Sequence, residues 1–132
     1  MKDDLGAVEL DPDRERHDRH RKRQPDKDGD EYAWDVLASS RFVQDDSRMA
    51  LDAWNEIGRP RIDLLDIDGL RHTRYARVAA VTGLTPGAVL TNEALRRTER
   101  RLRQLPTVRA ARVTYRPLKD GYASVDAFVV ER

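Results

Sequence analysis

The strongest constraint on how this chain can fold is the order of hydrophobic periodicities between residues 59 and 132. A short alternating run, RIDLLDIDGL, comes first. Two helical patterns follow, HTRYARVAAVTGL and TNEALRRTERRLRQLP, with a Thr-Pro-Gly turn between them. Two more alternating runs, VRAARVTYRP and YASVDAFVVER, complete the series. In the first run Leu65 and Ile67 alternate with Asp66 and Asp68, as a half-buried strand requires, and Gly69 ends it. LKDG between the last two runs is a turn signal that predicts a hairpin. The predicted order is strand, helix, helix, strand, strand.

Local signals mark the helix ends. The first helix has Thr73 as its expected N-cap, a stripe of Tyr75, Val78, Ala79 and Thr82, and Gly83 as its stop. Thr91 is placed to cap the second, and Leu90 ahead of the cap can pack on Leu95 one turn later. Leu95, Leu102 and Leu105 share a face of that helix. Arg96, Arg97, Arg100, Arg101 and Arg103 spread over the rest, and Pro106 ends it.

The preceding residues divide in two. Residues 1–30 include DPDRERHDRHRKRQPDKDGD, which mixes both signs of charge with almost no apolar side chain. Such a segment cannot offset its ordering entropy by burial, so it is expected to be a disordered charged tail. Within it RERHDRHRKR offers a basic patch, and His17 and His20 stand three apart as metal ligands sometimes do; flanking acids and the absence of any completing ligand favour a solvated tail. Residues 31–58 are expected to form a helical extension. There Ala50, Ala53, Trp54 and Ile57 follow helical spacing behind an Asp46 or Ser47 cap, with Gly58 and Pro60 beyond. The upstream Tyr32, Trp34, Val36, Leu37, Phe42 and Val43 are too apolar for a linker, so the extension must lean on the next domain or on a partner.

Charge and composition narrow the function. The net charge of +1 conceals a division: residues 59–132 hold 15 basic and 8 acidic side chains, whereas residues 31–58 hold 2 and 6. At 132 residues, with aromatics at 6%, the chain has room for one small domain plus appendages and little for a large buried active site. It has no cysteine, which removes disulfide and thiolate chemistry. No run approaches the ~18 apolar residues of a spanning helix, and MKDDLGAVEL lacks the apolar stretch of a secretory signal.

Taken in order, IDLLDIDGL ending in Gly69, GLTPG between the helices, LTNEALRRTERRLRQLPTV, and DGYASVDAFVVER with Glu131 after its apolar strand make residues 62–131 resemble a POTRA domain. This is the polypeptide-transport-associated module that precedes the β-barrel in outer-membrane assembly and secretion proteins and also occurs in division-septum proteins. The resemblance implies an α+β, two-layer β-α-α-β-β fold over residues 59–132, with two helices on a three-stranded mixed sheet. It also implies a non-enzymatic interaction module of the periplasm, associated with the outer membrane, that binds or guides client polypeptides or envelope subunits. No signal peptide is present in this sequence, and a β-barrel would belong to a longer parent chain.

The same resemblance puts VRAARVTYRP at a sheet edge and YASVDAFVVER in the middle, so residues 109–116 are expected to present unpaired backbone groups to a partner strand. Alternation turns Ala111, Val113 and Tyr115 toward the helices and Arg112, Thr114 and Arg116 outward. The expected partner-binding residues are Arg109, Arg112, Thr114 and Arg116, with Tyr122 and Phe128 adding apolar contacts if Val125, Ala127 and Val129 face the core. The N-terminal helix around Trp54 is the one element expected to compete for that edge.

The rival reading is a KH-like single-stranded nucleic-acid-binding module, which shares the element order and clamps a phosphate backbone with a Gly-x-x-Gly loop between its helices. Gly83 and Gly87 stand at that place, ahead of the arginines. Against it, Pro86 removes an amide that a phosphate cradle would use, and Glu93 and Glu99 lie four residues before Arg97 and Arg103, the favourable order for helix ion pairs. Catalysis has little to stand on: His72 has no acid or nucleophile in a recognisable motif around it, and Asp63, Asp66 and Asp68 lack the glycine-bearing loop of a calcium site. No cofactor, metal site, nucleic-acid partner or catalytic residue is expected.

Overall fold

The computed structural model describes residues 30–132. The tail reading of residues 1–30, with His17, His20 and the basic patch, lies outside the described residues apart from Asp30.

Four helices and three strands follow in the order α1 (Glu31–Val43), α2 (Ser47–Asn55), β1 (Arg61–Asp68), α3 (Tyr75–Thr82), α4 (Asn92–Arg103), β2 (Val108–Pro117) and β3 (Tyr122–Glu131). The fold is α+β. The sheet is mixed and runs β1-β3-β2, with β3 parallel to β1 and antiparallel to β2. The last strand therefore occupies the centre, as expected, and β1 and β2 are the edges.

Alternation decides which face is buried. Ala123, Val125, Ala127 and Val129 of β3 and Ala111, Val113 and Tyr115 of β2 are buried, and they join Ile67 of β1 with Val78, Leu90, Ala94 and Leu102 from the helical layer. Full burial of a side chain the size of Leu102 contributes about 1.5–3 kcal/mol, so this layer is the main source of stability. The hairpin closes through Asp120 and Gly121, both at positive φ, with the Leu118 amide donating to the Tyr122 carbonyl at 2.7 Å.

Several helix signals hold. The Thr91 hydroxyl accepts from the Ala94 amide at 3.0 Å, Asp46 caps α2 through the Met49 amide at 3.2 Å, and Gly83 ends α3 at φ +68°. The Thr73 cap does not. Helix α3 begins at Tyr75 after an Arg74 N-cap without a side-chain bond, because Thr73 is engaged elsewhere. Its amide donates to Glu131 and its hydroxyl bonds Thr107. The extension holds two helices where only α2 was expected, and α1 buries Trp34, Leu37 and Ala38.

That extension is fastened to the domain by its own polar groups. Asn55 Nδ2 donates to the carbonyls of Arg59 and Leu90 at 2.8 Å each, and Asn92 Nδ2 donates to the Arg48 carbonyl and Asp52. Phe42 lies between Trp54 and Tyr115, with ring centroids 6.3 and 5.7 Å away. The Tyr115 hydroxyl donates to the Ser47 carbonyl. Burial, then the charges of Asp52 and Asp46, push the Tyr115 phenol above its usual range. Among the described residues no helix is long and apolar enough to cross a membrane.

Candidate partner-binding site

Edge strand β2 follows the antiparallel rule that neighbouring residues alternate between ladder-directed and edge-directed backbone groups. Arg112, Thr114 and Arg116 pair with Phe128, Asp126 and Ser124. The Val113 amide is edge-directed, since it donates to Glu99 Oε2 at 3.0 Å and not to β3. By the same alternation the Ala111 and Tyr115 backbone groups also point out of the sheet.

The expectation that residues 109–116 present an open edge is corrected here. Helix α4 occupies the middle of it: Glu99 takes the Val113 amide, and Arg103 Nη2 donates both to Glu99 at 3.0 Å and to the Ala111 carbonyl at 3.3 Å. A carboxylate acceptor and a guanidinium donor stand where a neighbouring strand would place a carbonyl and an amide. Helix α2 does not compete for this edge. It reaches β2 only through the Tyr115 side chain, on the helical side of the sheet. What remains edge-directed without a protein partner among the described residues includes the Val113 carbonyl and the Tyr115 amide.

The open sheet face gathers most of the expected site residues. Arg112 lies over the Phe128 ring, 5.2 Å from its centroid. Arg116 Nε bonds Asp126 at 2.7 Å, its Nη2 reaches the other carboxylate oxygen at 3.3 Å, and Ser124 lies within reach. Asp126 is 8% exposed on the central strand, so the guanidinium is what satisfies it. The bond to Asp126 holds the Arg116 guanidinium above its ordinary pKa. Tyr122 and Phe128 are exposed there, and Thr114 lies opposite Asp126. Leu64 joins them at 59% exposure, a residue the alternation pattern missed because a register shift between Ile62 and Leu64 breaks the parity of β1. Arg109 does not join them. It sits in a register shift of β2, between Val108 and Ala110, at the far end of the strand.

The loop between α3 and α4 bears on nucleic-acid recognition. The Gly83 amide donates to the Ala80 carbonyl, Leu84 to the Thr82 hydroxyl, Gly87 to the Ile62 carbonyl at 2.7 Å, and Ala88 to the Thr85 carbonyl. Pro86 has no amide, so four of these amides are bonded within the protein. Arg101 donates to the Thr82 carbonyl, closing the end of α3. Glu93 and Arg97 form no ion pair among the described residues, whereas Glu99 and Arg103 do.

Glu131 completes the geometry. Its carboxylate accepts the amides of Arg71 at 2.9 Å, His72 at 3.0 Å and Thr73 at 3.3 Å. These bonds, that of Arg71 foremost, hold the carboxyl below its ordinary pKa. His72 is thereby part of a backbone turn, with an exposed side chain. No protein-family model matches this chain, and no curated protein matches it.

Proposed function

We propose that residues 59–132 are a POTRA-type module, a non-enzymatic protein–protein interaction domain of the bacterial periplasm that receives extended client polypeptides or envelope subunits. The observation that carries this reading is the β1-β3-β2 sheet with β2 at its edge, next to a face where arginines alternate with apolar side chains. Such an edge takes up an extended chain by β-augmentation: main-chain bonds supply affinity and the outward side chains select among clients.

The Glu99–Arg103 pair gives this reading a defined sequence of contacts. A client strand first meets the Val113 carbonyl and the Tyr115 amide, then exchanges its own amide and carbonyl for Arg103 and Glu99. Each displaced bond is replaced by one of the same kind, so the exchange is near neutral in hydrogen bonding while apolar contacts are gained on the sheet face. The bonded amides of the α3–α4 loop leave little for a phosphate backbone, which supports the interaction module over the nucleic-acid reading.

Val113→Pro is the appropriate test, since it deletes an edge-directed donor, whereas Thr114→Pro would break a bond inside the sheet. The variant is expected to remain folded by circular dichroism and to lose binding of an extended peptide measured by fluorescence anisotropy. Unchanged binding by the folded variant would contradict edge-strand recognition.

A further inference from the structure

A cleft of about 450 Å³ opens at the end of the sheet remote from the hairpin, where β1 leaves and β3 finishes. Arg71, His72, Arg109, Val130, Glu131 and Arg132 line it. Three guanidiniums thus share one cleft with a single carboxylate, and that carboxylate is already engaged by three backbone amides. None of Arg71, Arg109 and Arg132 forms an ion pair among the described residues.

The arrangement is built by the backbone. The register shift between Val108 and Ala110 leaves Arg109 out of the β2–β3 ladder, and a bulge of this kind re-aims the side chain it carries. Glu131 pins the Gly69–Thr73 turn, which sets the origin of the Arg71 side chain. The amide of Arg132 donates to the Thr107 carbonyl at 2.9 Å, so the third arginine also springs from a held backbone. Val129 and Val130 supply an apolar wall.

We propose that this cleft binds an acidic side chain of an extended polypeptide, held by Arg71, Arg109 and Arg132 while a neighbouring apolar residue rests on Val130. The proposal rests on the interaction-module reading and names the class of client it accepts. The occupant follows from charge and from continuity. Guanidiniums bind carboxylates through paired, charge-assisted hydrogen bonds. The cleft is also reached along β2 itself, since Arg109 belongs to that strand. From Tyr115 to Arg109 is six residues, or about 20 Å of extended chain. A client strand paired at the Tyr115 end therefore brings a residue about that far along its length over the arginines.

The probe is a fluorescein-labelled peptide alternating valine and threonine, long enough to span β2, with an aspartate pair at each end; its counterpart carries asparagines. Anisotropy titrations of the full chain are expected to show the aspartate peptide binding about tenfold more tightly. Arg71→Gln with Arg109→Gln, which leaves every backbone bond to Glu131 in place, is expected to erase that ratio. Arg96→Gln with Arg100→Gln on α4, an equal loss of charge elsewhere, is expected to preserve it. Equal binding of the two peptides to the unaltered chain, or a ratio that survives the Arg71 and Arg109 changes, overturns the cleft as an acid site and leaves client binding standing. Failure of both peptides to bind overturns the cleft and the interaction-module reading together.

Discussion

The Glu99 carboxylate on α4 accepts the backbone amide of Val113 on β2 at 3.0 Å, so a helix side chain occupies a place in the sheet that a fourth strand would take. Exposed edges invite indiscriminate pairing, and a side chain bonded to the edge is one way of limiting it. The prediction concerns Glu99→Ala. Removing the acceptor frees the Val113 amide and loosens Arg103, so an extended peptide is expected to bind about three- to tenfold more tightly. Anisotropy measures this, and sedimentation shows whether self-association rises with it. Weaker peptide binding would mean that Glu99 contacts the client and does not stand in its place.

Gly69 is the second point of test. Its φ is +99°, and a Cβ there would lie 1.9 Å from the Val129 carbonyl oxygen. Both the conformation and the close approach of β3 demand glycine. Gly69→Ala is expected to cost about 2–4 kcal/mol in chemical denaturation. A loss below the error of the measurement would contradict the close packing of the turn on β3.

Glu131 predicts a pH dependence. Its folded pKa lies below the ordinary glutamate value of 4.5, so the stability it contributes is fully present above about that pH and is lost as pH falls through the lower, folded value. Replacing Glu131 with Gln is expected to flatten that acid limb of the stability profile and to release the Gly69–Thr73 turn, seen as faster amide exchange at Arg71 and Thr73. Parallel profiles for the two proteins would show that the carboxylate is not held by the turn.

Much of this frame could be read from the chain because its signals are local. Thr91, Asp46 and Gly83 act within one helical turn, and the alternation of β3 placed Val125, Ala127 and Val129 correctly. Helix α1 was missed although Trp34, Leu37 and Ala38 have helical spacing, because exposed Tyr32, Val36 and Val43 blur the apolar stripe. Spacing also paired Glu99 with Arg103, but it could not show that both reach β2, a contact set by how α4 lies on the sheet. Leu64 was hidden for a related reason: a bulge reverses the parity on which alternation depends.

Thr98 offers a gain of stability. It is fully buried in α4, and its hydroxyl has no hydrogen-bond partner among the described residues. Thr98→Val keeps the shape and removes an unsatisfied polar atom, so the expected change is a stabilisation of about 1 kcal/mol by denaturant titration. A loss of similar size would reveal a bonded hydroxyl in solution.

Residue-resolved nuclear magnetic resonance of the full chain, titrated with the aspartate peptide and separately with single-stranded RNA, tests the central claim most directly. The account predicts that the peptide shifts the amides of Ala111, Val113 and Tyr115 and the Glu99 side chain, and slows exchange at Tyr115, while RNA leaves residues 83–88 unmoved. Peptide-induced shifts absent from β2, together with RNA-induced shifts centred on Gly83 and Gly87, would contradict the edge-strand interaction module and restore the nucleic-acid reading.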